Sequence, residues 1–322
     1  MAGSDRLTGR SLVAHCDWGK PPRKRWMAVA TRAGDRWAVT PPEPVGSTSD
    51  LFTRLTARAG KAGVLVGFDF PLGLPEAYAS KTGLPDFPAA LAAFGLGEWA
   101  EWYDVCERAE EISLHRPFYP MRTASGTRHQ HLTAGLGLEA TDLLRRCERP
   151  TTTRRAACSL FWTLGGNQVG KGAIAGWREL IAGSLETARL WPFHGSLAEL
   201  DATAPLILAE TYPAEFYGHL GILKSMMRSK RIQAERKRVA RPLLDWLDAH
   251  GVPDASLRAG IEEGFGTGAN GEDRFDAFVG LLGMIDVLDG RLGREAPSAY
   301  AITTWEGWIL GQAASLAPEA NE

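Results

Sequence analysis

Three apolar runs in this chain each end in an acid. Leu12-Val13-Ala14-His15-Cys16 runs into Asp17, Val64-Leu65-Val66-Gly67-Phe68 into Asp69, and Leu206-Ile207-Leu208-Ala209 into Glu210. A carboxylate at the end of a buried strand is costly to desolvate unless it is paired or binds a cation. A fourth acidic element, Asp273-Arg274-Phe275-Asp276, spaces two aspartates three residues apart. On a helix that spacing sets both on one face. Asp276 sits among Phe275, Ala277 and Phe278, a setting that charge complementing a helix dipole does not explain. The bland alternative for any single acid is a cap on the next helix or turn. Taken together, the acids form a set poor in His and Cys, which suits Mg²⁺ or Mn²⁺ better than Zn²⁺. Such ions activate a water and stabilise a leaving oxygen in phosphodiester cleavage.

The elements needed to position these acids are legible around them. The first segment reads β-β-β-α-β: strands at 12–17, 25–31 and 36–40, a linker at 41–46, a helix from Ser49 to about Ala59, and a strand at 64–69. Gly34-Asp35 marks a hairpin, and Ser49 can cap the helix that carries Leu51, Phe52 and Leu55. Asp69 is followed by Phe70-Pro71-Leu72-Gly73, where proline removes a donor and turns the chain at the sheet edge. A strand pattern returns at 206–211. A basic helix, a loop with Gly264, Gly266, Gly268 and Gly271, and a helix over 272–288 follow. Gly280 and Gly283 lie roughly below the two aspartates and allow close approach to a sheet. Residues 300–305 read as a last short strand. In open α/β sheets, ligands sit at the carboxyl ends of the strands, which is where Asp17, Asp69 and Glu210 fall.

Between these parts, helical patterns at 88–94, 98–111 and 173–190 surround a polar loop at 115–137 rich in Arg, Thr and Gly. The expected organisation is an α/β core from 1–74 and 200–322 with a helical insertion at 75–199.

This arrangement, with Asp on the first and fourth strands and Asp-x-x-Asp on a late helix, resembles the ribonuclease-H-like superfamily, most closely its RuvC-type resolvase branch. More specifically, the chain looks like the domain-of-unknown-function 429 family of ribonuclease-H-like nucleases. The matching segments are His15-Cys16-Asp17-Trp18-Gly19, Gly67-Phe68-Asp69-Phe70-Pro71-Leu72-Gly73, Gly166-Asn167-Gln168-Val169-Gly170, Trp191-Pro192-Phe193, Glu210-Thr211-Tyr212-Pro213, Asp273-Arg274-Phe275-Asp276-Ala277 and Glu306-Gly307-Trp308-Ile309. The resemblance implies a ribonuclease-H-like mixed sheet flanked by helices and a metal-dependent nuclease using Mg²⁺ or Mn²⁺. Asp17, Asp69 and Asp276 would be the principal metal ligands, with Asp273 auxiliary and Glu210 an auxiliary ligand or general base. Two departures stand out. RuvC-type enzymes commonly carry Glu on the fourth strand where this chain has Asp69. The helix over 50–59 lacks the inward Glu of ribonuclease H proper, which favours the RuvC-like arrangement.

The remainder of the chain bounds the partners. Its 322 residues carry a formal charge of −2, which argues against a histone-like binder but not against a local basic face. Residues 224–241 supply that face, with eight Lys or Arg against Glu235 alone, a net of +7 that leaves −9 elsewhere. Read as one helix, they put Lys224, Arg228, Arg231 and Arg238 on one side and Lys230, Lys237 and Arg241 on another, a natural phosphate-backbone contact. Trp18 is the candidate for stacking on a base. Asn167, Gln168 and Lys171 are candidate substrate contacts, in a glycine loop that lacks the GxxxxGK[ST] spacing of a P-loop. His129 and His131 could share a metal, and Arg116, Arg122 and Arg128 could hold phosphate oxygens. Four cysteines without a CxxC pair are no disulfide framework, so a reducing cytoplasm is expected. No apolar run reaches the ~18 residues of a membrane span. Two rival functions stand beside the nuclease. One is a phosphohydrolase or phosphotransferase acting on a nucleotide or small phosphorylated substrate. The other is a non-catalytic ribonuclease-H-like binding module.

Overall fold

The computed structural model describes residues 7–122, 127–150, 156–164 and 169–314. The chain divides into two compact units. One takes the chain up to Asp69, then Ser196–Glu295 and Ile309–Ala313; the other is built mainly from Phe70–Gly195 and Ala296–Trp308.

The first unit is an α/β structure around a mixed sheet. Its strands are β1 (Arg10–Asp17), β2 (Trp26–Ala33), β3 (Arg36–Val39), β4 (Glu43–Pro44), β5 (Gly63–Phe68) and β6 (Leu206–Glu210). The order β3-β2-β1-β5-β6 runs across the sheet, with β4 beside β2. β1, β2 and β3 pair antiparallel, while β1, β5 and β6 run parallel. β5 and β6 are buried along their whole length, as parallel strands covered on both faces must be. The hairpin between β2 and β3 turns at Gly34, whose φ of 64° suits glycine.

Side-chain alternation decides what each face meets. His15 and Gly67 are register partners, as are Cys16 and Phe68. The first pair faces the long helix Gly268–Leu288: a Cβ on Gly280 would lie 2.3 Å from the His15 ring, and one on Gly67 2.5 Å from Met284 Sδ. The second pair faces the helix Leu51–Ala59, where Phe52 meets Phe68 edge-to-face at 6.3 Å. Helices therefore cover both faces. Gly280 and Gly283 let the long helix approach; a Cβ on Gly283 would fall 2.2 Å from Phe216.

Several expected elements differ. The long helix begins at Gly268, so neither aspartate is in its first turn. Residues 98–111 form no continuous helix, only the three-residue turns Gly97–Trp99 and Ala109–Glu111. Cys106 bonds instead to distant backbone, donating to Phe118 O and accepting from Met121 N, which removes it from any helical ladder. Over 173–190 the helix Val169–Gly176 gives way to a wider turn at Trp177–Ile181 and a tight one at Ala182–Ser184. Residues 300–305 are not a strand but a helical turn, Ile302–Glu306, ended by Gly307 at φ 65°. Residues 296–308, expected with the core, pack in the second unit. Arg145 donates to Glu306 O at 2.9 Å, and the Arg146 N–H donates to the Glu306 carboxylate at 2.8 Å.

The second unit is held by an aromatic cluster rather than by regular elements. Trp102 stacks on Phe94 at 3.7 Å and lies parallel to Trp177 at 5.6 Å. Arg145 and Glu148, fully buried, form an ion pair at 2.8 Å. No helix among the described residues is long and apolar enough to cross a membrane.

Candidate functional site

The parallel register of β1 and β5 sets two carboxylates side by side. Cys16 pairs with Phe68, and Asp69 N–H donates to Cys16 O at 3.4 Å, so Asp17 and Asp69 are the next residues out on adjacent strands. Each stands two residues beyond a position facing the long helix, His15 and Gly67, so the pleat returns both to that helix. The Trp18 N–H donates to Asp69 Oδ1 at 2.7 Å. From the helix come Asp273 and Asp276, one turn apart and both buried.

The electrostatics place these four acids in one group. The Asp17 carboxyl is held well above the usual carboxylate range, first by burial, then by the charges of Asp69 and Asp276. Burial pushes Asp69 up to about 6, against hydrogen bonds from the Asp17 carboxyl and the Trp18 N–H. Asp273 is pushed up to about 6 by burial, opposed by Lys24, whose Nζ lies 3.8 Å from its Oδ1. Asp276 is raised by burial and lowered by Lys230. The Lys230 ammonium donates to Asp276 Oδ2 and lies 3.9 Å from Glu272 Oε1. Tyr217 OH donates to Asp276 Oδ1 at 3.5 Å.

Among the described residues no three His, Cys, Asp or Glu side chains stand as a ready metal-ligand group. The donor chemistry still fits a hard divalent ion. All donors are carboxylate oxygens, the excess negative charge disfavours their ionised forms, and the buried Asp273 Oδ2 has no hydrogen-bond partner.

The raised carboxyls make a stability prediction. Asp69 titrates near 6 in the folded chain against about 3.9 unfolded. Between these values the folded chain binds the extra proton. The stabilising contribution is therefore present below about pH 4 and lost as pH rises through 6. Asn has no proton to lose. In chelator, the stability gained by Asp69→Asn should be greater at pH 7 than at pH 5, by about 1–2 kcal/mol. Urea melts at both pH values measure it; an equal gain would mean that burial does not oppose ionisation there.

The other candidates fall elsewhere. Glu210 does not join the group. It pairs in register with Phe68, whose side chain lies on the sheet face opposite to Gly67, so strand parity turns it away from Asp17 and Asp69. Trp18 is 6% exposed, packed edge-on against Phe68 and covered by the Arg25 guanidinium at 4.3 Å. It is not a stacking platform for a base. Lys171 lies on the helix Val169–Gly176 of the second unit; Asn167 and Gln168 lie outside the described residues. His129 stacks on Trp162 at 3.8 Å, whereas His131 Nδ1 meets Tyr119 OH at 2.9 Å. The two rings have different partners and share no site. Arg116 pairs with Glu111 and Arg122 with Glu107.

The basic stretch is not one helix. Residues 223–232 are turns, and helices run only over Gln233–Arg238 and Ala240–Ala249. The two expected basic faces therefore do not exist. Arg236 explains the break. It is 1% exposed, and its guanidinium donates to Gly264 O at 2.8 Å, Gly266 O at 2.6 Å and Lys230 O. Arg228, Arg231 and Arg238 do stay exposed. Lys230 and Tyr217 are site residues that sequence reasoning missed; a lysine in a basic run carries no periodic mark that it turns inward. No protein-family model, curated protein or solved structure matches the chain.

Proposed function

We propose that the protein is a metal-dependent phosphodiesterase, a nuclease on a ribonuclease-H-like fold, working with Mg²⁺ or Mn²⁺ in the cytoplasm. The strand order β3-β2-β1-β5-β6, antiparallel on one side of β1 and parallel on the other, supports the fold. The observation that carries the function is the convergence of Asp17, Asp69 and Asp276: the first two leave adjacent parallel strands side by side, toward the helix that carries the third, and the Asp276 charge acts on both. Asp17, Asp69 and Asp276 would hold the ion, with Asp273 beside them. The ion would supply an activated water and charge stabilisation for a leaving oxygen. Hydrolysis of a nucleic acid by the full chain with Mg²⁺ or Mn²⁺, abolished by chelator, tests this; no cleavage across single- and double-stranded DNA and RNA would remove the nuclease reading.

Nucleic acid is the proposed partner because exposed cations lie along the chain beside the acids. Arg231 is 3.8 Å from Glu272, and Lys230, one residue before, reaches Asp276. Reversing Arg228 and Arg231 to Glu should weaken binding to all sequences alike. It should also flatten the log K against log salt slope by about 0.7–0.9 for each phosphate no longer neutralised. Arg238→Glu should do less, because Glu235 already pairs with Arg238 at 2.7 Å. Salt titrations of the variants measure this, and an unchanged slope in the double reversal would assign these arginines to solvent.

A further inference from the structure

We propose that the Lys230 ammonium is the resident second cation of the carboxylate site, so that the site takes one divalent ion and keeps Lys230 rather than taking two ions. The inference rests on the metal reading above and deepens it.

The site has two unequal halves. Asp276 is already served on both oxygens, by Lys230 on Oδ2 and Tyr217 OH on Oδ1. Asp17 and Asp69 meet each other across adjacent strand ends, where the Trp18 N–H contributes a dipole and not a charge. Asp273 has an oxygen without a partner. Lys230 contacts Asp276 directly and reaches Asp17 and Asp69 only through space, so the carboxylates left without a contacting cation are Asp17 and Asp69, beside the open oxygen of Asp273. Formal charge agrees. Four ionised aspartates and Glu272 face Lys230, Lys24 and Arg231; one divalent ion brings that group to neutrality, whereas two would leave an excess of two positive charges in a buried site.

Lys230 is also held in place. Its carbonyl accepts from the buried Arg236 guanidinium, which also grips the carbonyls of Gly264 and Gly266 just before the long helix. The segment bearing the ammonium is therefore fastened to the base of the helix bearing Asp273 and Asp276. A lysine that only solvates a surface does not need its backbone clamped to the element carrying its acid. With a fixed ammonium and one ion, a phosphate group of the substrate would meet a positive charge on each side.

The test is a Mn²⁺ titration of the full chain, counting bound ions by calorimetry and by loss of the free-ion electron paramagnetic resonance signal. Wild type should bind one Mn²⁺. Lys230→Gln should bind a second Mn²⁺, or bind the first at least about tenfold more tightly, since a like charge beside the ion is gone. Lys230→Arg, which keeps the charge, should stay at one ion. Circular dichroism melts of both variants establish that they are folded. Two ions in wild type, or one ion of unchanged affinity in Lys230→Gln, would overturn the inference and leave the metal reading intact. No Mn²⁺ bound by wild type would remove the metal reading itself, and this inference with it.

Discussion

Asp17→Asn is expected to lower metal-dependent hydrolysis by at least about 1000-fold and to raise the melting temperature in chelator. Both effects come from the same burial. Asp17 is 9% exposed, and its carboxyl is held far above the normal range by desolvation and by Asp69 and Asp276. At neutral pH the folded chain must either keep a proton on that carboxyl or hold a charge that repels its neighbours. Asn has nearly the same shape, carries no charge and can donate to the Asp69 carboxylate. The strain is therefore relieved and the ion-binding charge is lost together. A site shaped for its ligand and against its own stability commonly shows this trade-off. Mn²⁺ should stabilise wild type through linkage and leave Asp17→Asn unmoved. Thermal melts with and without Mn²⁺, beside hydrolysis rates, decide the matter. An Asn variant that is less stable in chelator, or that retains activity within tenfold, would mean that Asp17 is a structural cap.

The second large effect is on stability. Arg236→Met is expected to cost about 3–5 kcal/mol, roughly 10 °C in melting temperature for a chain of this size. The Arg236 side chain lies against the start of the long helix, where a Cβ on Gly271 would fall 2.3 Å from its Nη2. Removing the guanidinium strands the carbonyls of Lys230, Gly264 and Gly266. Methionine fills the volume and satisfies none of them. Lysine should not rescue it, because one ammonium cannot reproduce a planar fork serving three acceptors. Arg238→Met, two residues away, removes an exposed arginine paired with Glu235, and should change stability by about 0.5 kcal/mol or less. Chemical denaturation of the pair separates clamp from surface charge. Similar losses for both would show that Arg236 contributes charge alone.

Two features of the site were legible in advance because they are local. The acids stand directly after apolar runs, and a strand's end and a helix's face follow from periods of 2.0 and 3.6. From these rules came the order β-β-β-α-β, to which the structure adds the two-residue β4 in the expected linker, the strand-end positions of Asp17 and Asp69, and the common face of Asp273 and Asp276. The glycines at 67, 280 and 283 are the sequence's record of a helix packed close on a sheet.

What the tertiary structure alone decided is parity and direction over long separations. Glu210 ends its strand as Asp69 follows its own, yet the β5–β6 register puts it beside Phe68 and on the other face; a one-residue difference in a period of two reverses the side, and no property of 206–210 states it. Arg236 and Lys230 lie in a basic run that reads as a solvated helix. Carbonyls some thirty residues downstream bury the first, and a carboxylate on the long helix draws in the second. In the second unit, aromatic packing and backbone bonds between distant residues overrode helical patterns at 98–111. Propensity is worth only tenths of a kcal/mol per residue, whereas burying a tryptophan is worth several times that. Local preference therefore yielded wherever a large ring or an unpaired carbonyl had a partner far along the chain.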